Sequence, residues 1–537
     1  MSRLLGTEFA NSFVTVEKQE EQRLRTHLQE HPQDLDAWLD LVKQVEKFVR
    51  PMQKSSSMTK EVLQEVLKEF PQYAPGWRKL ADCYNFEGNA EMVECTYEDA
   101  LKTIPTNIDL WLAYITWKTD KTPVETLRSL YERAIDVSGK VYSSFLLWDK
   151  YLDFEKVHKD WVRMEQVFWK VIGTPNSKLY DYFSRFKNFL ETPGLFTGPE
   201  QDIAKRKKLE EIITVYEKTV IENNKRKAFE AAIKRSHFST KPLDPDQLSN
   251  WRRYLDLEER EGDAQRIELL YARCLVPACY YGEFWIRYAL YLEKTKGEEA
   301  ARELYKSANL KLLFRRPELF IAQGYFEETH GNLEEAEVLY RKVYEKVDRG
   351  SLEAIFKHLN LEKRRNNLEA VERLYEQASE SADAIGDSNS IAFVSMHYAR
   401  YLQLVKGNLQ EALEVYAKVE PKAKDKKAMY LAYLNTLSLI TDTSERNQKM
   451  VSVYERAIVS EKLSENERLE LWVAYMDFVD TFIEDRATVM ALKGRYRRVF
   501  FQAATVTADF KKRINISRKQ RSIAPDFSAP HKRLKTD

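Results

Sequence analysis

The sequence predicts an all-α protein, an α-solenoid of stacked helix pairs, and three observations lead to this fold class. The 537 residues include only 16 Gly and 16 Pro while 43% are hydrophobic, a composition that disfavours an all-β or low-complexity chain. Aromatic residues recur three positions apart, so that they share one face of a helix. The same two-helix pattern returns at intervals such as the 34 residues from Tyr97 to Tyr131, a period typical of helix-pair repeats.

In the first units, the first helix is marked by a proline and, six residues later, a tryptophan. Three segments align without gaps: "LQEHPQDLDAW" ending at Trp38, "LKEFPQYAPGW" ending at Trp77 and "LKTIPTNIDLW" ending at Trp111. Proline lacks an N–H and ends the preceding helix. The tryptophan is therefore expected in the first turns of the next helix.

An aromatic residue follows this tryptophan after three positions and, in several units, a glutamate follows it after seven. Trp251, Tyr254 and Glu258 show the pattern. These spacings place all three on one helical face, which predicts a core position for the aromatic residues and bonds between helices for the glutamate. The same pattern, complete or in part, includes Trp148 with Tyr151 and Glu155, Trp285 with Tyr288, Phe320 with Glu327, and Trp472 with Tyr475.

The second helix follows a short turn, for example Gly262-Asp263 or Asn366-Asn367, and carries a tyrosine with a small residue three positions on. Such a unit cannot bury its apolar face alone, so we expect about eleven or twelve units stacked on one another. The predicted repeat core comprises Trp38, Trp77, Trp111, Trp148, Trp251, Trp285, Tyr97, Tyr131, Tyr271, Tyr305, Tyr340, Tyr375 and Tyr454.

The period fails between Trp148 and Trp251, which divides the predicted organisation. We expect an N-terminal repeat arm over residues 1–195, a long connecting helix and linker over 196–250, and a C-terminal repeat arm over 251–509. Residues 510–537 are basic and aperiodic, so a disordered tail is predicted there. Its basic residues are spaced like a bipartite nuclear localisation signal, namely Lys511, Lys512, Arg513, Arg518, Lys519 and Arg521.

The chain offers little sign of catalytic or cofactor chemistry. It contains no GxGxxG, P-loop, GxSxG or HExxH motif. "HLQEH", from His27 to His31, matches an inverted zinc-protease pattern in which Glu30 would be the base. However, His31 occupies the repeat position of Phe70 and Ile104. We therefore expect no enzyme activity, no cofactor and no metal.

Charge and cysteine content narrow the cellular setting. The net charge is +1, which disfavours a surface devoted to nucleic acid, although local basic clusters leave RNA or an acidic partner tail open. Four scattered cysteines suggest a reducing compartment. No signal peptide and no apolar run long enough for a membrane span is visible, so a soluble intracellular protein is expected.

The units resemble HAT (half-a-tetratricopeptide) repeats, with Trp-x-x-Tyr in the first helix and Tyr-x-x-Ala in the second. The stretch "RSHFSTKPLDPDQLSNWRRYLDLEEREGD", from Arg235, closely resembles the linker and following repeat of the pre-mRNA-processing factor 39 family. This resemblance implies a nuclear splicing scaffold of the U1 small nuclear ribonucleoprotein, acting in 5′ splice-site selection. It further implies dimerisation through the C-terminal repeats, with itself or a paralogue, and contacts to U1-specific proteins.

Three alternatives remain: a HAT scaffold of mRNA 3′-end cleavage and polyadenylation, a peptide-clamp co-chaperone adaptor and, as the weakest, an enzyme. For the dimer, the last units carry aromatic residues on a terminal helix that no further unit would cover. The candidate interface residues are Trp472, Tyr475, Phe478, Tyr496, Phe500 and Phe501.

Overall fold

The computed structural model describes residues 19–52, 56–192, 199–311 and 316–504, and every regular element in these ranges is a helix. This confirms the predicted all-α class. The helices are α1 (residues 19–30), α2 (Leu35–Met52), α3 (Ser56–Glu69), α4 (Ala74–Phe86), α5 (Ala90–Thr103), α6 (Ile108–Lys118), α7 (Val124–Ser138), α8 (Phe145–Val157), α9 (Trp161–Ile172), α10 (Leu179–Leu190), α11 (Pro199–Ala232), α12 (Pro245–Glu261), α13 (Ala264–Cys274), α14 (Gly282–Lys296), α15 (Glu298–Lys311), α16 (Pro317–Thr329), α17 (Leu333–Lys342), α18 (Leu352–Arg364), α19 (Leu368–Ile385), α20 (Ser388–Tyr401), α21 (Leu409–Val419), α22 (Lys427–Leu437), α23 (Thr443–Val459), α24 (Glu465–Phe482) and α25 (Arg486–Ala504).

Two π-helical segments, Val343–Val347 and Leu402–Lys406, continue α17 and α20. The chain forms two compact units, Met1–Phe326 and Glu327–Asp537, whose boundary falls inside α16. The predicted division is different: it separates arms over 1–195 and 251–509 at the connecting segment. That division stays a prediction. Within the described residues, no helix has the length and apolar character needed to cross a membrane.

The turns between paired helices have the predicted chemistry. Gly262 ends α12 with φ of 83°, and Asn366 stands in the corresponding turn with φ of 58°. Glycine adopts this left-handed conformation without steric cost, and asparagine tolerates it. Asp263 then begins α13, because its side chain accepts hydrogen bonds from the backbone N–H groups of two residues in the first turn.

The spacing from proline to tryptophan has a direct structural explanation. The indole Nε1 of Trp38 donates to the carbonyl oxygen of Pro32 at 2.9 Å, and Trp111 donates to that of Pro105 at 2.8 Å. Trp77 makes the same bond to Pro71 at 2.9 Å although its side chain is only half-buried. The tryptophan thus ties each first helix to the turn before it.

Successive units are joined by stacked aromatic rings. The second-helix tyrosine of one unit lies against the first-helix tyrosine of the next: Tyr131 on Tyr151 with ring centroids 4.9 Å apart, and Tyr271 on Tyr288 at 4.6 Å. The small residue three positions after the tyrosine is fully buried, as at Ala134. All predicted repeat-core residues except Trp77 are less than 9% exposed.

Buried glutamates add a second link between helices, as the sequence predicted. Glu155 of α8 accepts two hydrogen bonds from the Arg128 guanidinium of α7, both at 2.8 Å. Glu258 of α12 accepts two from Arg226 of α11, at 2.6 and 2.8 Å. Hydrogen bonding to Glu155 raises the pKa of Arg128, so the guanidinium stays charged inside the protein.

The linker between α11 and α12 is held by specific contacts. Gln247 donates to the carbonyl oxygen of Ala232 at 2.6 Å and accepts from the backbone N–H of Lys234 at 3.0 Å. Phe238 packs on Phe70, far away in the sequence, with ring centroids 5.7 Å apart. The linker therefore rests on the N-terminal repeats instead of forming a flexible tether.

We predict that replacing a stacking tyrosine weakens the solenoid strongly. Tyr271→Ala removes a fully buried ring and its stack on Tyr288, at a cost of about 3–5 kcal/mol in the free energy of unfolding. Urea denaturation followed by circular dichroism would measure it. The matched control is Tyr180→Ala, at a tyrosine that is 68% exposed, where the midpoint should hardly move. Equal effects of the two substitutions would contradict the stacking argument.

We also predict that the Arg226–Glu258 pair behaves as a buried ion pair. Arg226→Met leaves a buried carboxylate without its cation and should cost about 3–5 kcal/mol of stability. The double variant Arg226→Met/Glu258→Leu should recover much of that loss, because no charge is then left buried. Lys43→Met, at the exposed pair of Lys43 with Asp40, is the control and should leave the urea midpoint unchanged. A double variant no more stable than the single one would refute the charge argument.

Candidate interaction surfaces

The terminal helices α24 and α25 contain the residues predicted to form a dimer contact. Trp472, Tyr475 and Phe478 are 5%, 0% and 6% exposed. Tyr475 stacks on Tyr454 with centroids 4.8 Å apart, and its hydroxyl donates to Glu455 at 3.1 Å. These three side chains therefore belong to the interior of the chain itself and are not available to a second copy.

Helix α25 covers this interior and would carry any contact at this end. Its Arg495 donates twice to Glu455, at 3.0 Å each, and lies over the ring of Trp472. Tyr496 and Phe500, 4.1 Å apart between ring centroids, are half-buried. The side chain of Phe501 lies outside the described ones.

In the "HLQEH" motif, His27 contacts the turn that joins α1 to α2. His27 Nε2 lies 3.0 Å from Asp34 Oδ2, and Asp34 also accepts from the backbone N–H of Ala37 at 3.1 Å. The hydrogen bond to His27 lowers the pKa of Asp34. Asp34 thus links the C-terminal part of α1 to the first turn of α2.

A cluster that the sequence did not indicate joins Glu337, His358 and Glu362, whose potential ligand atoms lie within 4.8 Å of one another. Arg365 Nη1 donates to Glu337 at 2.9 Å and to Glu362 at 3.0 Å, while Asn367 donates to Glu362 at 2.6 Å. The carboxylates are thus already neutralised by an arginine, which a cation would have to displace. The donor set fits an ion-pair network better than a metal site, and the buried-glutamate position of the repeat could have indicated Glu362.

The cysteines are poor nucleophiles. Burial raises the pKa of Cys279 to about 12 and that of Cys274 well above its ordinary value. Because the thiolate is the reactive species, both remain inert thiols near neutral pH.

Several lysines of the basic clusters pair with neighbouring acids where the structure describes them. Lys208 donates to Glu165 at 2.7 Å, and Lys225 bridges Glu222 and Glu261 at 2.8 and 2.7 Å. The cluster from Lys422 to Lys427 is tied to neighbouring acids in the same way, through Asp383, Asp425 and Glu470. Lys511, Lys512, Arg513, Arg518, Lys519 and Arg521, the proposed localisation residues, lie outside the described residues.

The proline-to-tryptophan bond of the first three units is not kept in the later ones. The Trp148 indole donates to the carbonyl oxygen of Gly139 at 3.1 Å, and that of Trp285 to the carbonyl oxygen of Cys279 at 2.8 Å.

Trp251 departs in another way. Pro245, six residues before Trp251, is the first residue of α12 and does not precede the helix. The Trp251 indole Nε1 is buried and has no hydrogen-bond partner. It lines a cavity of about 280 Å³ together with Asn107, Ser236 and Arg273. Residues of both the linker and the N-terminal repeats therefore line this cavity.

Comparison with known proteins identifies these repeats. A family model described as PRP39 N-terminal HAT repeat matches residues 22–188, and one described as PRP39 C-terminal HAT repeat matches residues 224–364. Together the two matches span more than half of the chain.

Three curated relatives carry the name of the same family. The chain is 28% identical over 535 residues to Pre-mRNA-processing factor 39 of Danio rerio, covering 89% of this chain and 69% of the relative. It is 29% identical over 390 residues to that of Schizosaccharomyces pombe, covering 65% and 64%. For Homo sapiens the identity is 26% over 482 residues, covering 80% and 70%.

A likeness to the crystal structure of CSTF-77 concerns the fold alone. Its TM-score is 0.55 at 14% identity, and it covers 86% of this chain and 93% of the other. With both family models matching in order, and with the stacked helix pairs that carry their pattern, the chain belongs to the PRP39 family of HAT-repeat splicing factors.

Proposed function

We propose that this protein is a non-catalytic scaffold of pre-mRNA splicing that works in the nucleus with the U1 small nuclear ribonucleoprotein in 5′ splice-site recognition. The observation that carries the proposal is the match of both HAT family models, in order, to a stack of helix pairs. Stacked repeats offer extended surfaces to several partners at once. The partners we propose are U1-specific proteins, and RNA is contacted indirectly or through local basic patches.

The absence of catalysis in the proposal follows from how the titratable side chains are used. The buried glutamates Glu155 and Glu258 are each saturated by an arginine. Two hydrogen bonds from one guanidinium hold each carboxylate in fixed geometry, which suits a structural role and not the transfer of a proton to a substrate.

Affinity purification of the tagged full-length protein from nuclear extract, with RNA and protein identified together, tests the splicing proposal. We expect U1 RNA and U1-specific proteins to be recovered. Recovery of 3′-end cleavage and polyadenylation factors in their place would overturn it in favour of the other HAT scaffold. Recovery of heat-shock chaperones alone would favour the co-chaperone adaptor.

We further propose that the protein dimerises through its C-terminal repeats, with itself or with a paralogue. The support is the pair Tyr496 and Phe500, half-buried aromatic residues on the last described helix. Aromatic residues are enriched in the buried core of interfaces, and the symmetric pairing of one patch with its copy is the commonest way for a protein to form a dimer.

We predict that Phe500→Asp converts the dimer to a monomer in sedimentation velocity at micromolar concentration, because the interface would bury an unpaired charge. Tyr180→Asp, on an exposed tyrosine of the other compact unit, is the control and should leave the dimer intact. Helix content by circular dichroism shows that both variants are folded. A wild-type protein that sediments as a monomer, both alone and mixed with its paralogue, would contradict the proposal.

A further inference from the structure

A cleft of about 480 Å³ lies between α18 and α20 in the second compact unit. Its lining includes Phe356, Phe393 and His397 together with Lys363. The three rings contact one another: Phe356 meets Phe393 edge-on with centroids 5.1 Å apart, and Phe393 lies 4.4 Å from His397. Phe393 is nevertheless 44% exposed. The cleft thus has an aromatic wall that is partly open to solvent.

Lys363 is partly buried, and no described carboxylate forms an ion pair with it. Its Nζ donates to the Tyr375 hydroxyl at 2.8 Å and lies 5.0 and 5.4 Å from the ring centroids of Tyr375 and Tyr401. Burial lowers its pKa, and desolvation is the cause. A lysine whose charge is desolvated and has no counter-ion gains from an added anion.

This arrangement departs from the repeat pattern. Glu259 and Glu328 take the position of Lys363 in two other units, directly after the buried glutamate, and each accepts a hydrogen bond from the tyrosine hydroxyl of the following helix. Glu259 also pairs with an arginine of the next first helix, Arg287. Lys156 of α8 occupies this position too, but it is exposed to solvent.

The position of Lys363 at the end of a helix does not by itself explain its state. Cations are stabilised near the carbonyl end of a helix, and this applies equally to Arg364 in the same turn. Arg364, however, also has Glu328 as an acidic partner. Lys363 instead lines the cleft. In the next first helix, His397 stands at the repeat position of Arg287, and it supplies no negative charge that could pair with Lys363.

We infer that this cleft is a docking site for a short peptide segment of a protein partner, in which an acidic residue stands next to an aromatic or aliphatic one. The acidic side chain would pair with Lys363, and the apolar side chain would lie against Phe356 and Phe393. A charge-assisted bond to a partly desolvated lysine and an aromatic anchor in a cleft are the contacts that dominate such interfaces. The inference concerns the second unit alone and does not rest on the splicing proposal.

The chemistry favours a peptide over RNA. Binding of single-stranded nucleic acid uses a basic groove that follows several phosphates beside stacking rings. Here the cleft is lined by only two lysines, Lys357 and Lys363, and by the exposed Glu353, whose carboxylate would repel a phosphate chain. A single carboxylate beside one apolar side chain matches the size and charge of the site.

A peptide array tests the inference with the full-length protein. The probes are synthetic decapeptides on a glycine–serine background, each with one phenylalanine or leucine and one aspartate at spacings from one to four. Counterparts carry asparagine in place of aspartate. We expect binding of acidic members only, followed by fluorescence anisotropy on the best of them.

Two variants and two matched controls localise the binding. Lys363→Gln keeps a donor for Tyr375 but removes the charge, and Phe393→Ala removes an exposed ring; each should weaken peptide binding by about tenfold or more. Lys449→Gln, at a lysine paired with Glu445, and Phe86→Ala, at a phenylalanine that is 80% exposed, should change nothing.

The possible outcomes show whether the cleft binds acidic peptides. If no acidic peptide binds, or if the affinity is the same in Lys363→Gln and Phe393→Ala as in the wild type, the inference is wrong. If these two variants lose affinity for labelled oligouridine and not for peptides, the cleft binds RNA and the peptide assignment is overturned. Circular dichroism of each variant checks that the helices are retained.

Discussion

The stack of one tyrosine on another between successive units is the interaction on which the rest of this structure depends. A helix pair of this length has too little apolar surface to be stable alone. The rings of Tyr97 and Tyr114, 5.2 Å apart, and of Tyr454 and Tyr475, 4.8 Å apart, join neighbouring units in this way. Phenylalanine takes the place of tyrosine in other units, as in the stack of Phe168 on Phe186. The fully buried small residue beside each second-helix tyrosine is what lets the neighbouring helix approach closely enough for the stack.

Around this stack a regular set of polar bonds fixes the orientation of the helices. The glutamate directly after the second-helix aromatic residue accepts from the tyrosine hydroxyl of the next first helix, as Glu98 does from Tyr114 at 2.9 Å. The same glutamate accepts from an arginine of the next second helix, as Glu98 does from Arg133 at 2.8 Å. The 84 acidic and 85 basic residues leave a net charge near zero, and many of the described ones pair with each other across neighbouring helices.

The positions that break these rules deserve functional tests first, because a protein departs from its own local pattern mainly where another constraint acts. Trp251 lacks the proline carbonyl that receives the indole N–H of Trp38, Trp77 and Trp111. Its buried Nε1 has no hydrogen-bond partner, and the residue lines a cavity beside the linker. Lys363 stands where two other units have a glutamate, and it faces an aromatic cleft. A repeat scaffold can acquire binding sites in this way without altering the stack that supports it.

The sequence by itself determined the helix pairs, their period and the core positions, because proline, glycine and aromatic spacing act locally along the chain. It also indicated that Glu155 and Glu258 bond between helices, since their spacing from the tryptophan places them on its face. The same pattern placed Trp472 and Tyr475 in the core, and their burial excludes them from the dimer contact that was also predicted for them. The sequence did not indicate that Glu337, His358 and Glu362 converge.

Only the tertiary structure decided which charges find a partner. Arg226 and Lys363 both lie in basic clusters of similar composition, yet Arg226 meets a buried glutamate 32 residues away and Lys363 meets a tyrosine hydroxyl and an apolar cleft. The difference depends on the side chains that neighbouring helices bring to each site, and that proximity in space is set by the stacking of the units and not by the order of residues in either cluster.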